Sequence, residues 1–378
     1  MKIMKLAVRI MASVTGALML VTLLGAVVAT PINAHGGDFS KQNAELIYID
    51  VHNHLNNAKL SPGVCTFNPG VAAALVAMES VGIQKSLIMP TPFPNTSFPG
   101  QFECGDYFFG MYFEEHYAEI ANENPEYFAY IGGGATLTPM TQSVDPDDVT
   151  EDILALFEDT AIEILRIGAI GFGEMVAEHV SRRPGHPYMS VRPDHPLLLL
   201  LSDIAARNND VPIDIHMEAV FSDMKIPPEL DSPINPDYLF ENITAFERLL
   251  DHNPKVPIIW SHAGWDNTGQ RTVERMHRLL RDHNNLYMSF KLDPTSLPGD
   301  PNRIIGADGK IDPEWEHLIH LFPSRFLIGL DSKYPQLPDQ RFERCRALLN
   351  QLPPGLARKV AYENADRLYN LTGTEKSK

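Results

Sequence analysis

Leu46-Ile47-Tyr48-Ile49-Asp50-Val51-His52-Asn53-His54 opens as an apolar run and closes on two imidazoles. Short runs rich in Ile, Val, Leu and aromatics read as strands buried on both faces, as in parallel sheets covered by helices. Residues two apart in a strand share a face. His52 and His54 would therefore aim at one point, with Asp50 behind them on that face, placed to support a ligand or the barrel interior. A lone His-x-His is weak evidence, so the rest of the chain has to be read with it.

Seven further apolar runs follow Leu46–Val51: Lys85–Met89, Phe128–Ile131, Ala169–Phe172, Val211–Ile215, Val256–Trp260, Leu286–Phe290 and Phe326–Leu330. Helical periodicity fills the gaps at Val71–Val81, Tyr107–Asn122, Val149–Leu165, Pro196–Arg207, Tyr238–Asp251, Gln270–Asp282, Pro313–Leu321 and Asp339–Leu349. Eight strand–helix units predict an α/β fold, a single-domain (β/α)8 TIM barrel over 46–371 closed by Leu356–Leu371, with a doubly wound open sheet as the alternative. Strands 1, 4, 5, 6 and 8 each end on acidic or imidazole groups: His52 and His54, Glu174, Asp214 with His216, His262, and Asp331. Those ends form the catalytic face of such barrels, where side chains from different strands converge. The other histidines of the barrel region (His116, His179, His186, His195, His252, His277, His283, His317 and His320) read as solvated or capping groups on helices and loops.

Asp-x-His-x-His on strand 1, His216, Ser-His-Ala-Gly around His262 and Gly-Leu-Asp-Ser around Asp331 resemble the amidohydrolase superfamily, in particular its amidohydrolase-2 branch. Asn364-Ala365-Asp366-Arg367-Leu368-Tyr369 is similar to the closing segment of that branch. The resemblance implies a metal-dependent barrel hydrolase with His52, His54, Glu174, His216, His262 and Asp331 at the metal. Many members with two metals carry a carboxylated lysine on strand 4, where this chain has Glu174. A carboxylate there resembles TatD-type hydrolases, in which a glutamate can bridge two ions, whereas decarboxylase-related members often hold one ion with no strand-4 ligand. The resemblance thus leaves one or two ions open, and Glu174 favours two.

Imidazoles and carboxylates suit Zn²⁺, with Mn²⁺, Fe²⁺ or Co²⁺ as alternatives, and no soft ligands for copper are present. Such an ion activates water at neutral pH and polarises a carbonyl. Asp331 would accept the water proton and pass it to the leaving group, with His262 assisting at the carbonyl. The expected reaction is hydrolysis of a small carbonyl substrate (amide, lactone or ester). Non-oxidative decarboxylation of a small carboxylic acid, phosphoester hydrolysis and a non-catalytic binding barrel are the alternatives. Arg182, Arg183, Lys291 and Lys333, with Trp265 and Tyr334, are candidate substrate contacts, because cations beside a metal suit a carboxylate or phosphate. The segment Pro92–Phe102 is a candidate apolar wall.

Lys2, Lys5 and Arg9 precede an apolar stretch, Ile10 to Thr30, and Pro31-Ile32-Asn33-Ala34. That order predicts an export signal over 1–34, with an uncleaved anchor as the alternative, followed by a polar leader over 35–45. Residues 372–378 read as a disordered tail. The protein would then be periplasmic or secreted. Its formal charge is -17, with no basic cluster, which argues against nucleic acid or anionic membranes as partners. A homo-oligomer is compatible with the sequence. The three cysteines lack metal-site spacing, and export would permit a disulfide between Cys65 and Cys104.

Overall fold

The computed structural model describes residues 39–43, 46–56, 58–61, 64–92, 110–182, 186–294, 302–335 and 339–372. The export segment, Arg183, Cys104 and nearly all of Pro92–Phe102 lie outside them, as does the side chain of Cys65. Of the cysteines, Cys345 is free and buried. Among the described residues no helix is long and apolar enough to cross a membrane.

Eight parallel strands form the centre: β1 Tyr48–Leu55, β2 Ile83–Ile88, β3 Phe128–Tyr130 continued by Gly132–Gly133, β4 Phe172–His179, β5 Ile213–Met217, β6 Ile258–Ala263, β7 Leu286–Phe290 and β8 Phe326–Ile328. Pairing runs from β3 through β2, β1, β8, β7, β6 and β5 to β4, and β4 pairs with Gly132–Gly133. Both ends of the path therefore fall on one stretch of chain, and the sheet closes on itself. A helix follows each strand: α1 Asn68–Val81, α2 Met111–Glu123, α3 Glu151–Arg166, α4 Pro196–Arg207, α5 Ile243–His252, α6 Val273–Asp282, α7 Pro313–Leu321 and α8 Asp339–Gln351. Their starts are written in the sequence. Thr150, Thr272 and Asp312 each accept a backbone N–H at the helix N-terminus, and His195 does so through its ring nitrogen.

The main core lies between strands and helices. A second cluster fills the barrel floor, where Ala365, Leu368 and Tyr369 of the closing segment pack on Ile49, Val51, Leu87, Ile259 and Leu327. The expected role of Leu356–Leu371 as a closure is met by these contacts.

Two sequence expectations need correction. The fourth strand begins at Phe172 and contains Glu174, rather than ending before it. Residues 169–171 instead make the exit from α3, behind Gly168 at φ 121. Asp50 does not share the face of His52 and His54. The β1–β2 pairing slips between Asp50 and Asn53, a bulge-like irregularity that re-aims the side chains beyond it. Ile49 and Val51 face the barrel floor, whereas Asp50 lies toward Tyr48, Tyr334 and Cys345, where burial pushes it up to about 7. Its Oδ1 accepts the N–H of Leu330 at 2.9 Å, which ties β1 to the chain just ahead of Asp331.

Glu114 of α2 fastens the third strand. Its carboxylate accepts Tyr130 Oη, the N–H groups of Gly133 and Ala135, and Thr136 Oγ1. Burial nevertheless outweighs these donors and pushes Glu114 up to about 7 from 4.5. Between those values the unfolded chain has released the proton that the folded protein still holds, so stability falls as pH rises. The stability of the wild type relative to Glu114→Gln should decline across that window in urea titrations. A pH-independent difference would remove this account.

Candidate metal centre

The closed barrel brings the strand ends to one mouth, and the six expected groups meet there. His54 Nε2 lies 3.5 Å from Glu174 Oε2 and 3.3 Å from Asp331 Oδ1. His52 Nε2 is 3.7 Å from Glu174 Oε2, and His262 Nε2 is 3.4 Å from Glu174 Oε1. His216 Nδ1 approaches that oxygen to 2.7 Å and His262 Nε2 to 3.1 Å. Two sets, His52–Glu174–His262 and His52–His54–Asp331, each hold their donor atoms within 4.8 Å of one another. His216 joins the first set through Glu174 and His262.

Backbone shape places these groups. His262 and Asp331 both have left-handed backbones, at φ 66 and φ 53. A non-glycine residue there costs about 1–2 kcal/mol, and the barrel must enforce it. Close packing shapes the layer beneath. A methyl group at Gly173 would come within 2.8 Å of Asp214 Cβ, and one at Gly329 within 2.8 Å of Ser289 Cβ. Glycine alone lets β4 and β8 approach their neighbours this closely.

The electrostatics are those of a buried cluster of opposite charges. Burial opposes ionisation of Glu174, but His52 and His216 hold it well below the usual carboxylate range. Burial likewise opposes charging of His52, yet Asp214 and Glu174 hold its proton affinity well above the ordinary imidazole value. Asp331, also buried, is held well below its usual range by Lys291 and Lys333. Burial and Lys291 press His262 well below the ordinary value. These groups fit a cation. His52 Nε2 is buried with no hydrogen-bond partner among the described residues, facing the carboxylates, while His52 Nδ1 is 3.3 Å from Asp214. A lone pair in that position, fixed from behind by a carboxylate, is the usual arrangement of a histidine ligand.

A cavity of about 410 Å³ opens over the cluster. Arg182, Trp265, Lys291 and Lys333 line it as expected. Lys291 Nζ is 2.6 Å from Asp331 Oδ2, so its charge is committed to that carboxylate. Arg182 and Lys291 both stand 4.3 Å from the Trp265 ring centroid. Tyr334 does not line the cavity. It is fully buried on the Asp50 side of β1, since its strand, Ser332–Tyr334, pairs alongside β1.

Sequence reasoning missed several residues. His179 is buried and lines the cavity with His186, its ring 4.9 Å from that of His216. Reading β4 too short had left His179 in a loop. Glu218 also lines the cavity, 3.9 Å from His216 Nε2 and held by Asn267 at 2.6 Å. Its signal was present: Asp214, His216 and Glu218 alternate along one strand and its exit. Arg341, which lines the cavity together with Asp293, ties Asp293 to the carbonyls of Leu330 and Asp331.

The amidohydrolase family model, of the amidohydrolase-2 type, matches residues 49–371, which include every strand end of this site. The chain belongs to the amidohydrolase family. It is an enzyme of the amidohydrolase type. No curated protein matches this amidohydrolase in sequence. Among solved structures it is similar to a 5-carboxyvanillate decarboxylase from Novosphingobium aromaticivorans complexed with manganese, at 11% identity and TM-score 0.47, covering 86% of this chain and 96% of that one. It is also similar to a probable 2-pyrone-4,6-dicarboxylic acid hydrolase from Acinetobacter baumannii, at 9% identity and TM-score 0.47, covering 86% and 100%. The family assignment rests on the sequence match, not on these structures.

Asp214 should act behind His52. Ser261 Oγ donates to its Oδ1 at 2.6 Å, and His52 Nδ1 faces both carboxylate oxygens, at 3.3 Å and 3.4 Å. Asp214→Asn should weaken metal binding by about 10–100-fold, measured by competition with a chelator of known affinity. Unchanged affinity would exclude this supporting role.

Proposed function

We propose that this amidohydrolase is a metal-dependent hydrolase of a small carbonyl substrate, an amide, lactone or ester. The observation that carries the reading is the convergence of four imidazoles and two carboxylates at one barrel mouth, where Nε2 of His52 is buried and unpartnered among the described residues. His52, His54, Glu174, His216, His262 and Asp331 would hold the metal, most simply Zn²⁺ given imidazole and carboxylate donors, with Mn²⁺, Fe²⁺ or Co²⁺ as substitutes. A divalent ion there polarises a carbonyl and lowers the pKa of water to about 7. Glu174 contacts four imidazoles at 2.7–3.7 Å, which supports a carboxylate shared between two ions. A decarboxylase of the one-ion kind would leave it outside the metal sphere.

The chain's own groups then divide the work. Lys291 holds Oδ2 of Asp331, so Oδ1 is the oxygen left to face the mouth beside His54. Asp331, held toward its ionised form by Lys291 and Lys333, takes the proton of the attacking water at Oδ1. Its low proton affinity returns that proton readily to the leaving group. His262, kept neutral by burial and Lys291, keeps its Nε2 lone pair available to the metal beside Glu174. Trp265, with Arg182 and Lys291 against its ring, makes a rigid wall that orients the substrate.

Purified protein should carry about two metal equivalents per chain by elemental mass spectrometry, and lose turnover of a lactone and amide panel on chelation. One equivalent, with carbon dioxide released from carboxylic acids and no hydrolysis, would favour the decarboxylase. Asp331→Asn should retain metal and lose about a hundredfold or more in kcat. Full activity would eliminate Asp331 as the proton carrier. Removing the cation beside Asp331 raises its proton affinity. Lys291→Met should therefore shift the acid limb of kcat/KM to higher pH by about one unit, and an unmoved limb would count against the pairing.

A further inference from the structure

A second cavity, of about 520 Å³, lies outside the barrel mouth and shares no lining residue with the first. It sits between the short antiparallel pairing of β4 with Met189–Ser190 and the start of α5. Glu178 stands at its inner wall, 7% exposed. One carboxylate oxygen, Oε2, accepts Ser190 Oγ at 2.7 Å. The other, Oε1, is buried and has no hydrogen-bond partner among the described residues. A buried carboxylate oxygen left without a donor is costly.

The nearby cations do not answer it. Arg192 and Arg248 line the same cavity, but both are engaged by Asp194, at 2.8 Å and 2.7 Å. The wall also carries Val191, Glu241, Asn242, Thr244 and Ala245, and its aromatic faces are Tyr188 and Phe240. Tyr188 stands beside Glu178, and Phe240 stands at the rim with 71% of its surface exposed. An acidic acceptor beside aromatic faces selects a cation that carries N–H donors and an apolar body. An inorganic cation would need about six oxygen ligands, whereas the Asn242 and Glu241 oxygens in this wall already accept from Val220 and from Thr244.

We propose that this cavity binds an organic ammonium, its N–H groups donating to Glu178 and its body lying against Tyr188 and Phe240. The site is separate from the metal centre and does not depend on the reaction assigned there.

Calorimetric titration of the full-length protein with benzylammonium chloride, above the Glu178 value of about 7, tests this. One equivalent should bind. Glu178→Gln should weaken it by about tenfold or more, and Phe240→Ala should weaken it without changing Tm. Benzyl alcohol, the neutral analogue, should bind far less well. Absence of binding, equal binding of benzyl alcohol, or affinity unchanged in both variants would each overturn the proposal. Displacement of benzylammonium by potassium chloride but not by equimolar tetramethylammonium chloride would also overturn it, in favour of an inorganic cation. If Glu178→Gln does not fold, Phe240→Ala and the alcohol comparison still decide.

Discussion

The charged groups at the mouth of this barrel are buried, and each has to be answered by another group a few ångströms away. Glu174 could not remain ionised among apolar side chains, and His52 could not carry a proton there. Together they sustain each other, with Asp214 behind His52 and Lys291 behind Asp331. Removing one member strands its partner, so the cluster behaves as one unit rather than six ligands. The left-handed backbones at His262 and Asp331 belong to the same constraint. Their strain is tolerable only where the surrounding ring enforces the position.

A cluster of mutually dependent charges is also poised to receive a cation. Unpaired donors facing carboxylates are unfavourable in an empty site, and a divalent ion relieves both at once. The rigid parts of the fold lie directly beneath. Gly173 and Gly329 let β4 and β8 press against their neighbours without side chains between them. Asp50 joins β1 to the chain ahead of Asp331 from the outer face.

Much of this was readable in the amino-acid sequence, for identifiable reasons. Buried parallel strands are nearly all apolar, so the eight runs stand out, and the helices between them carry their own caps. Imidazole or carboxylate at five strand ends is a pattern that helices and loops do not produce. The misreadings have equally local causes. Polar residues within β4 hid its second half, because Glu174, Glu178 and His179 look like the start of a loop when period and composition are the guide. The Asp50 face was misassigned because a one-residue slip in strand pairing leaves no mark in the sequence. Lys291 was legible as an unusual buried cation, yet only the fold brings it to Asp331, which is far away along the chain. Tyr334 followed Asp331 closely enough to suggest a shared cavity, but the strand after β8 turns it to the other side.

The barrel is closed at its floor by Ala365, Leu368 and Tyr369, and its mouth is built from β1 and from the chain after β8. Histidines synthesised first and an aspartate synthesised last share one cluster. During translation the early strands must therefore wait, with His52 and His54 facing no carboxylate from the far end of the chain. Metal-binding competence arrives only when the ring has joined and the floor is sealed. Activity in this protein is a property of the finished chain, with no functional half along the way.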